Sequence, residues 1–215
     1  MRYKIQHPTK VIECEIDLPS SKSISNRLLI IQALSEDIFK IDNLSNSDDT
    51  RILSESLLSI ETKIDVGAAG STFRFLTSYL STLEGKEFIL TGSDRLKKRP
   101  VRQLVNSLVS LGADIQYLEE EGYAPLRIVG KSLTGGVVDM PADISSQFIS
   151  SLLLIAPTLK RGLTVNMINE VVSTPYIHMT LLLMKEFGIN TTFDGRQIYV
   201  SNQRYVGKDY LVESD

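Results

Sequence analysis

Residues 163–200 read LTVNMINEVVSTPYIHMTLLLMKEFGINTTFDGRQIYV. Leu163–Ile168 has the alternating apolar pattern of a strand. Thr174-Pro175 opens a helical run from Tyr176 through Phe187 that stops at Gly188, with proline expected at the first helical position and glycine just past the last. Two short strand-like runs follow, Ile189–Phe193 and Gln197–Val200. Asp194-Gly195 joins them, a strong hairpin signal.

The same order occurs earlier. Glu87–Leu90 is a strand candidate, and Arg99-Pro100 opens a helix over Val101–Leu111 that ends at Gly112. Ala113–Leu118 and Leu126–Val129 then form a strand pair around Glu119-Glu120-Glu121-Gly122. Upstream of each copy, a small or hydroxyl-bearing cluster runs into an apolar helix: Ala69-Gly70-Ser71-Thr72-Phe73-Arg74-Phe75-Leu76 in one, Ser145-Ser146-Gln147-Phe148-Ile149 in the other, the latter helix stopped by Pro157. Each unit therefore reads strand, helix, strand, helix, strand, strand. The region before Ile64 resembles a third copy, with Ser20-Ser21-Lys22-Ser23-Ile24-Ser25-Asn26-Arg27-Leu28 opening its first helix and Asp48-Asp49-Thr50-Arg51 its second. A repeat of this size constrains the fold more than any one motif and predicts an α/β architecture of packed layers.

Composition narrows the function classes. The chain has 215 residues, 42% hydrophobic and 23% charged, which excludes disorder and collagen-like structure. The run Leu152-Leu153-Leu154-Ile155-Ala156 is far too short for a membrane span, and Met1-Arg2-Tyr3-Lys4 is not followed by the apolar core of a signal peptide. With one cysteine, Cys14, and two histidines, His7 and His178, neither an internal disulfide nor a zinc site is expected. A cytoplasmic chain without metal or cofactor is expected, binding neither membrane nor nucleic acid. Cys14 lies in Val11–Leu18, a strand-like run, and reads as a small apolar residue; His178 reads as packing.

No phosphate-loop or dinucleotide fingerprint is present, and no histidine is placed to activate a serine or cysteine. What remains is a set of cations beside helix starts. Free N–H groups and the helix dipole favour phosphate or carboxylate there. Lys22 lies within the first cluster, Arg27 about one turn on, Arg74 at the comparable place in the next repeat, and Arg99 before a proline. Arg95, Lys97, Lys98, Arg99 and Arg102 fall within eight residues with no acid among them, although the net charge is −3. Singly, each feature has a plain reading as a cap or a solvated face. Their recurrence at corresponding places predicts one dry, anion-attracting cleft.

The motifs Ser21-Lys22-Ser23-Ile24-Ser25-Asn26-Arg27, Ala69-Gly70-Ser71-Thr72-Phe73-Arg74, Leu90-Thr91-Gly92-Ser93-Asp94-Arg95-Leu96-Lys97-Lys98-Arg99-Pro100, Ser145-Ser146-Gln147-Phe148 and Ser173-Thr174-Pro175-Tyr176 resemble those of the 5-enolpyruvylshikimate-3-phosphate synthase family, in order along nearly the whole chain. The resemblance implies the enolpyruvyl transferase (inside-out α/β barrel) fold, with repeated βαβαββ units forming one globular domain. It implies that residues 1–215 are the N-terminal domain, the first segment shared with a C-terminal domain that this chain lacks.

The implied reaction transfers the enolpyruvyl group of phosphoenolpyruvate to the 5-hydroxyl of shikimate 3-phosphate, releasing phosphate, on the route to chorismate and the aromatic amino acids. Residue by residue, the resemblance assigns Lys22, Ser23, Arg27, Ser145, Ser146, Gln147, Ser173 and Tyr176 to shikimate 3-phosphate. Lys22, Gly70, Arg99 and Gln147 fall to phosphoenolpyruvate. Lys22 is the candidate catalytic residue and Arg74 a further candidate; the proton-transfer carboxylates would lie on the other domain. Many relatives have Asn where this chain has Ala68 and Pro where it has Phe75, so one donor near the phosphoenolpyruvate site is lost. A sister transferase acting on UDP-N-acetylglucosamine usually has Asn after the lysine, where this chain has Ser23. A non-catalytic anion- or nucleic-acid-binding repeat domain would use the 95–102 run.

Overall fold

The computed structural model describes residues 8–11, 13–58, 61–141, 143, 145–170 and 173–215; His7 and Met1–Lys4 lie outside them. Two units of the chain have the same topology. The first comprises β2 (Lys63–Asp65), α3 (Gly70–Ser81), β3 (Glu87–Thr91), the short α4 (Asp94–Lys97), α5 (Arg102–Ser110), β4 (Asp114–Tyr117) and β5 (Leu126–Val129). The second comprises β6 (Gly136–Pro141), α6 (Ser146–Ile155), β7 (Leu163–Ile168), α7 (Thr174–Glu186), β8 (Thr191–Phe193) and β9 (Gln197–Val200). The sheets run β2-β3-β5-β4 and β6-β7-β9-β8, each with one parallel pair followed by two antiparallel ones. The two copies read over residues 63–200 are present in both sequence order and strand pairing.

Before these units stand α1 (Lys22–Leu34), β1 (Ile41–Asp42) and α2 (Asp48–Leu58), and after them β10 (Tyr210–Leu211). β1 pairs in parallel with β10, and Ser20 bridges Ser214. The Ser21 amide donates to the Glu213 carbonyl at 2.9 Å, and the Ser21 hydroxyl to the Asp215 carboxylate at 2.5 Å. Residues 210–212 are thus strapped to β1 and residues 213–215 to the start of α1.

The layers are arranged with helices inside. In α6, Phe148 through Ile155 are all buried, and in α3 all residues but Ser71 are. A helix apolar or small on every side belongs in an interior. The strands alternate instead: β9 reads exposed, buried, exposed, buried, so each sheet turns one face to solvent. Leu152, Leu153, Leu154 and Ile155 are wholly buried, each contributing about 1.5–3 kcal/mol over an exposed side chain. One continuous apolar core runs through both units.

Buried hydroxyls join the inner helices. Ser78 of α3 meets Ser151 of α6 at 2.5 Å, and Ser150 of α6 meets Thr180 of α7 at 2.8 Å. Small residues let the helices approach closely, and the paired hydroxyls leave no donor stranded.

Helix boundaries differ from expectation at two points. Pro100 precedes the N-cap Val101, so α5 starts at Arg102 and Arg99 sits in the turn after α4. Pro175 is the second residue of α7, whose N-cap Ser173 takes a left-handed conformation at φ 58°. Both helices end as read, with Gly112 and Gly188 at positive φ beyond the C-caps.

Val11–Leu18 forms no strand at its described positions. Those residues are exposed, Cys14 among them, because an alternating run becomes a strand only when a neighbour supplies ladder partners. His178 packs on the surface against Phe193, with ring centroids 5.5 Å apart. Among the described residues no helix is long and apolar enough to cross a membrane.

Candidate anion-binding site

Four helix starts open onto one cavity of about 360 Å³. From α1 come Lys22, Ser23, Asn26 and Arg27; from α3, Ser71 and Phe75; from α6 and its cap, Ser145, Ser146 and Gln147; from α7 and its cap, Ser173 and Tyr176. Helices in corresponding positions of repeated units begin on the same side of their sheets, which is why residues far apart in sequence meet here. The caps reinforce this: Ser21 Oγ accepts from the Ile24 amide at 3.4 Å, and Ser145 Oγ from the Gln147 amide at 3.3 Å.

Arg27 forms one wall of the cavity and is only 3% exposed. Its Nε donates to Thr180 Oγ1 at 2.7 Å and Nη1 to the Ser23 carbonyl at 2.8 Å. Nη2 donates to Ser150 Oγ at 2.9 Å and the Tyr176 carbonyl at 3.3 Å. The guanidinium lies 5.6 Å from the Phe75 ring centre. All of these acceptors are uncharged. Burial pulls the guanidinium down to about 10, with Tyr176 acting weakly in the opposite sense.

Arg74 is 7% exposed, with its guanidinium 5.2 Å from the Phe148 ring centre. Nη1 donates to Gln147 Oε1 at 2.8 Å and to the Gly70 carbonyl at 3.1 Å, while Nε is buried without a partner. Gln147 Nε2 in turn donates to Ser71 Oγ at 3.2 Å. Arg74 is also drawn down to about 10, by burial first and by the like charge of Arg99 second; Asp49 opposes this. Arg27 and Arg74 are the buried charged side chains among the described residues, and neither forms an ion pair there.

Gly70 and Arg99 stand beside this cavity, not in its lining. Arg99 lines a neighbouring cavity of about 480 Å³ with Ala68 and Arg95. A Cβ placed at Gly70 would press on the Arg99 guanidinium and lie 3.1 Å from Arg74 Nη1, so two cations flank one bare backbone position.

All eight residues assigned to shikimate 3-phosphate line one cavity. The expected dry cleft is half open, however. Lys22, Ser173 and Tyr176 are exposed, because nothing among the described residues covers them. The 95–102 run is also less positive than it reads. Lys97 pairs with Glu119 at 2.7 Å and Arg102 with Glu121, since the β4–β5 turn folds back onto the run. Two of the five cations in the run are therefore paired with carboxylates.

Sequence reading did not assign roles to Asn26, Ser71, Phe75, Ser150 and Thr180. Asn26 and Ser71 sit inside quoted motifs, and Asn26 follows Ser23 by three residues, on the same helix face. Ser150 and Thr180 carried no signal, being single hydroxyls in apolar helices.

The family model of EPSP synthase (3-phosphoshikimate 1-carboxyvinyltransferase) matches residues 6–64 and 52–215. The chain is 47% identical over 216 residues to the 3-phosphoshikimate 1-carboxyvinyltransferase of Bacteroides fragilis strain YCH46, across 100% of this chain and 52% of that protein. It is 38% identical over 237 residues to the enzyme of the same name from Aliivibrio fischeri strain MJ11, across 97% of this chain and 55% of that one. The solved structure of EPSP synthase from Acinetobacter baumannii is similar with a TM-score of 0.82 at 22% identity, over 93% of this chain and 49% of that one. That likeness shows the fold, the enolpyruvyl transferase architecture expected above. The chain spans about half the length of the curated relatives it matches. A family model that covers nearly every residue, with the motifs it joins gathered around one cavity, makes this chain a member of the EPSP synthase family.

Proposed function

We propose that the chain is the N-terminal domain, and one wall of the active site, of a 3-phosphoshikimate 1-carboxyvinyltransferase. Shikimate 3-phosphate binds Lys22, Ser23, Arg27, Ser145, Ser146, Gln147, Ser173 and Tyr176. Phosphoenolpyruvate binds Lys22, Gly70, Arg99 and Gln147. The observation that carries this reading is the buried guanidinium of Arg27, which lines the cavity and forms no ion pair among the described residues. A desolvated cation without a counter-ion is costly, and a multiply anionic ligand offsets that cost.

In the reaction, the 5-hydroxyl oxygen bonds to the central carbon of phosphoenolpyruvate while the methylene takes a proton. Phosphate then leaves the tetrahedral intermediate as that methyl group gives a proton back. Lys22 is the candidate to donate a proton or clamp developing negative charge. The carboxylates for the remaining proton transfers belong, on this reading, to the half of the relatives' length that this chain does not span. That half would also cover the open mouth and exclude water. A cytoplasmic location belongs to the same reading, in keeping with a lone cysteine.

Calorimetric titration of the 215-residue chain with shikimate 3-phosphate tests this. Weak saturable binding, with no phosphate release when phosphoenolpyruvate is added, is expected. Absence of binding at millimolar ligand, or turnover by the chain alone, would contradict it.

A further inference from the structure

We infer that Arg74 is a positioning residue whose work is to lock the Gln147 side-chain amide so that its NH2 group, not its oxygen, faces the ligand. An arginine has donors only, so the amide atom 2.8 Å from Arg74 Nη1 must be the oxygen. The nitrogen is thereby turned toward Ser71 and the cavity. One of its two hydrogens is taken by Ser71 Oγ at 3.2 Å, which leaves the other for an anion. A freely rotating glutamine would present its oxygen part of the time and repel that anion.

The arginine itself is held tightly. It sits against Phe148, the neighbour of Gln147 on α6, and bonds the Gly70 carbonyl at the start of α3. Its Nε has no partner among the described residues, so Nη1 carries the orientation. The chain Gly70–Arg74–Gln147–Ser71 therefore ties two repeats together at the cavity. Arg74 acts through Gln147 and is distinct from the groups that touch the ligand.

This inference rests on the proposed anion site, and the experiment separates the two. Shikimate 3-phosphate is titrated into the wild-type chain, R74K, R74M, Q147A and the R74M/Q147A double variant, each checked by urea unfolding. R74K and R74M both lose about tenfold in affinity, and the double variant binds within about twofold of Q147A. The Gln147 side-chain 15N order parameter, measured without ligand and assigned by its loss in Q147A, falls by about 0.3 in both arginine variants. R74K at wild-type affinity, losses that multiply in the double variant, or an unchanged order parameter each overturn the inference. R74K retains the charge and the stem, so the test stands even where R74M unfolds. A wild-type chain that binds no shikimate 3-phosphate sinks the proposed function instead, and the order parameter still decides the Arg74–Gln147 contact.

Discussion

Arg27 and Thr180 are separated by 153 residues, yet Nε and Oγ1 lie 2.7 Å apart. This contact ties the helix carrying Lys22 and Ser23 to the one that begins at Ser173. Thr180 also meets Ser150, so one hydroxyl joins α1, α6 and α7 behind the Arg27 side chain that lines the cavity.

Replacing it with the isosteric valine, T180V, keeps the volume and strands the Arg27 Nε–H. A buried unsatisfied donor costs about 1–3 kcal/mol. Urea unfolding should show a loss in that range, and shikimate 3-phosphate affinity should fall with it because the guanidinium is no longer aimed. Unchanged values for both would show that the hydroxyl is incidental.

Gly70 lies at the first position of α3 with a negative φ, so alanine suits its backbone and is up to about 1 kcal/mol better in a helix. The new methyl would nonetheless meet the Arg99 guanidinium. A long side chain can yield, so G70A should melt at or slightly above the wild-type temperature. Phosphoenolpyruvate should bind about tenfold more weakly, roughly 1.4 kcal/mol, with shikimate 3-phosphate little affected. Equal losses for the two ligands would disprove this division of the site.

The repeat was legible because both units announce themselves in hydrophobic period and turn residues. Leu163–Ile168, Leu126–Val129 and Gln197–Val200 appear as strands at the boundaries read from sequence. The clustering of Lys22, Arg27, Ser146 and Ser173 was legible for the same reason, since repeated units place their helix starts together. What stayed hidden depends on distant partners. Nothing local tells that Glu119 and Glu121 fold back on Lys97 and Arg102, or that Val11–Leu18 lacks a neighbouring strand. The roles of Ser150 and Thr180 likewise arise only once Arg27 is laid across α6 and α7.

Ser21 serves α1 twice, accepting from the Ile24 amide and donating to Asp215. S21A should cost about 1 kcal/mol, the usual value of an N-cap. D215A removes only the second contact and should cost less. The double variant should be no worse than S21A by more than a few tenths of a kcal/mol, because the serine partner is already gone. Additive losses in urea unfolding would mean Asp215 has another partner.

Burial penalises the charged forms of Arg27 and Arg74 and draws both down to about 10, well below the ordinary arginine value. Both are cations throughout the neutral range. A phosphate ester, half through its second ionisation near pH 6, has nearly completed it by about pH 7. Shikimate 3-phosphate affinity should therefore be flat from about pH 7 to 9 and fall as the pH rises through about 10, where the guanidiniums begin to lose their protons. The contribution of these two groups to folding runs the other way. From about 10 up to the ordinary arginine value the unfolded chain holds their protons more tightly than the folded one, so in that window they add stability as the pH rises. An affinity that already declines between pH 7 and 8.5 would place the controlling group elsewhere. Calorimetry across the range, repeated on R74M, tells the two arginines apart, because methionine does not titrate and the step near 10 should shrink when Arg74 is removed.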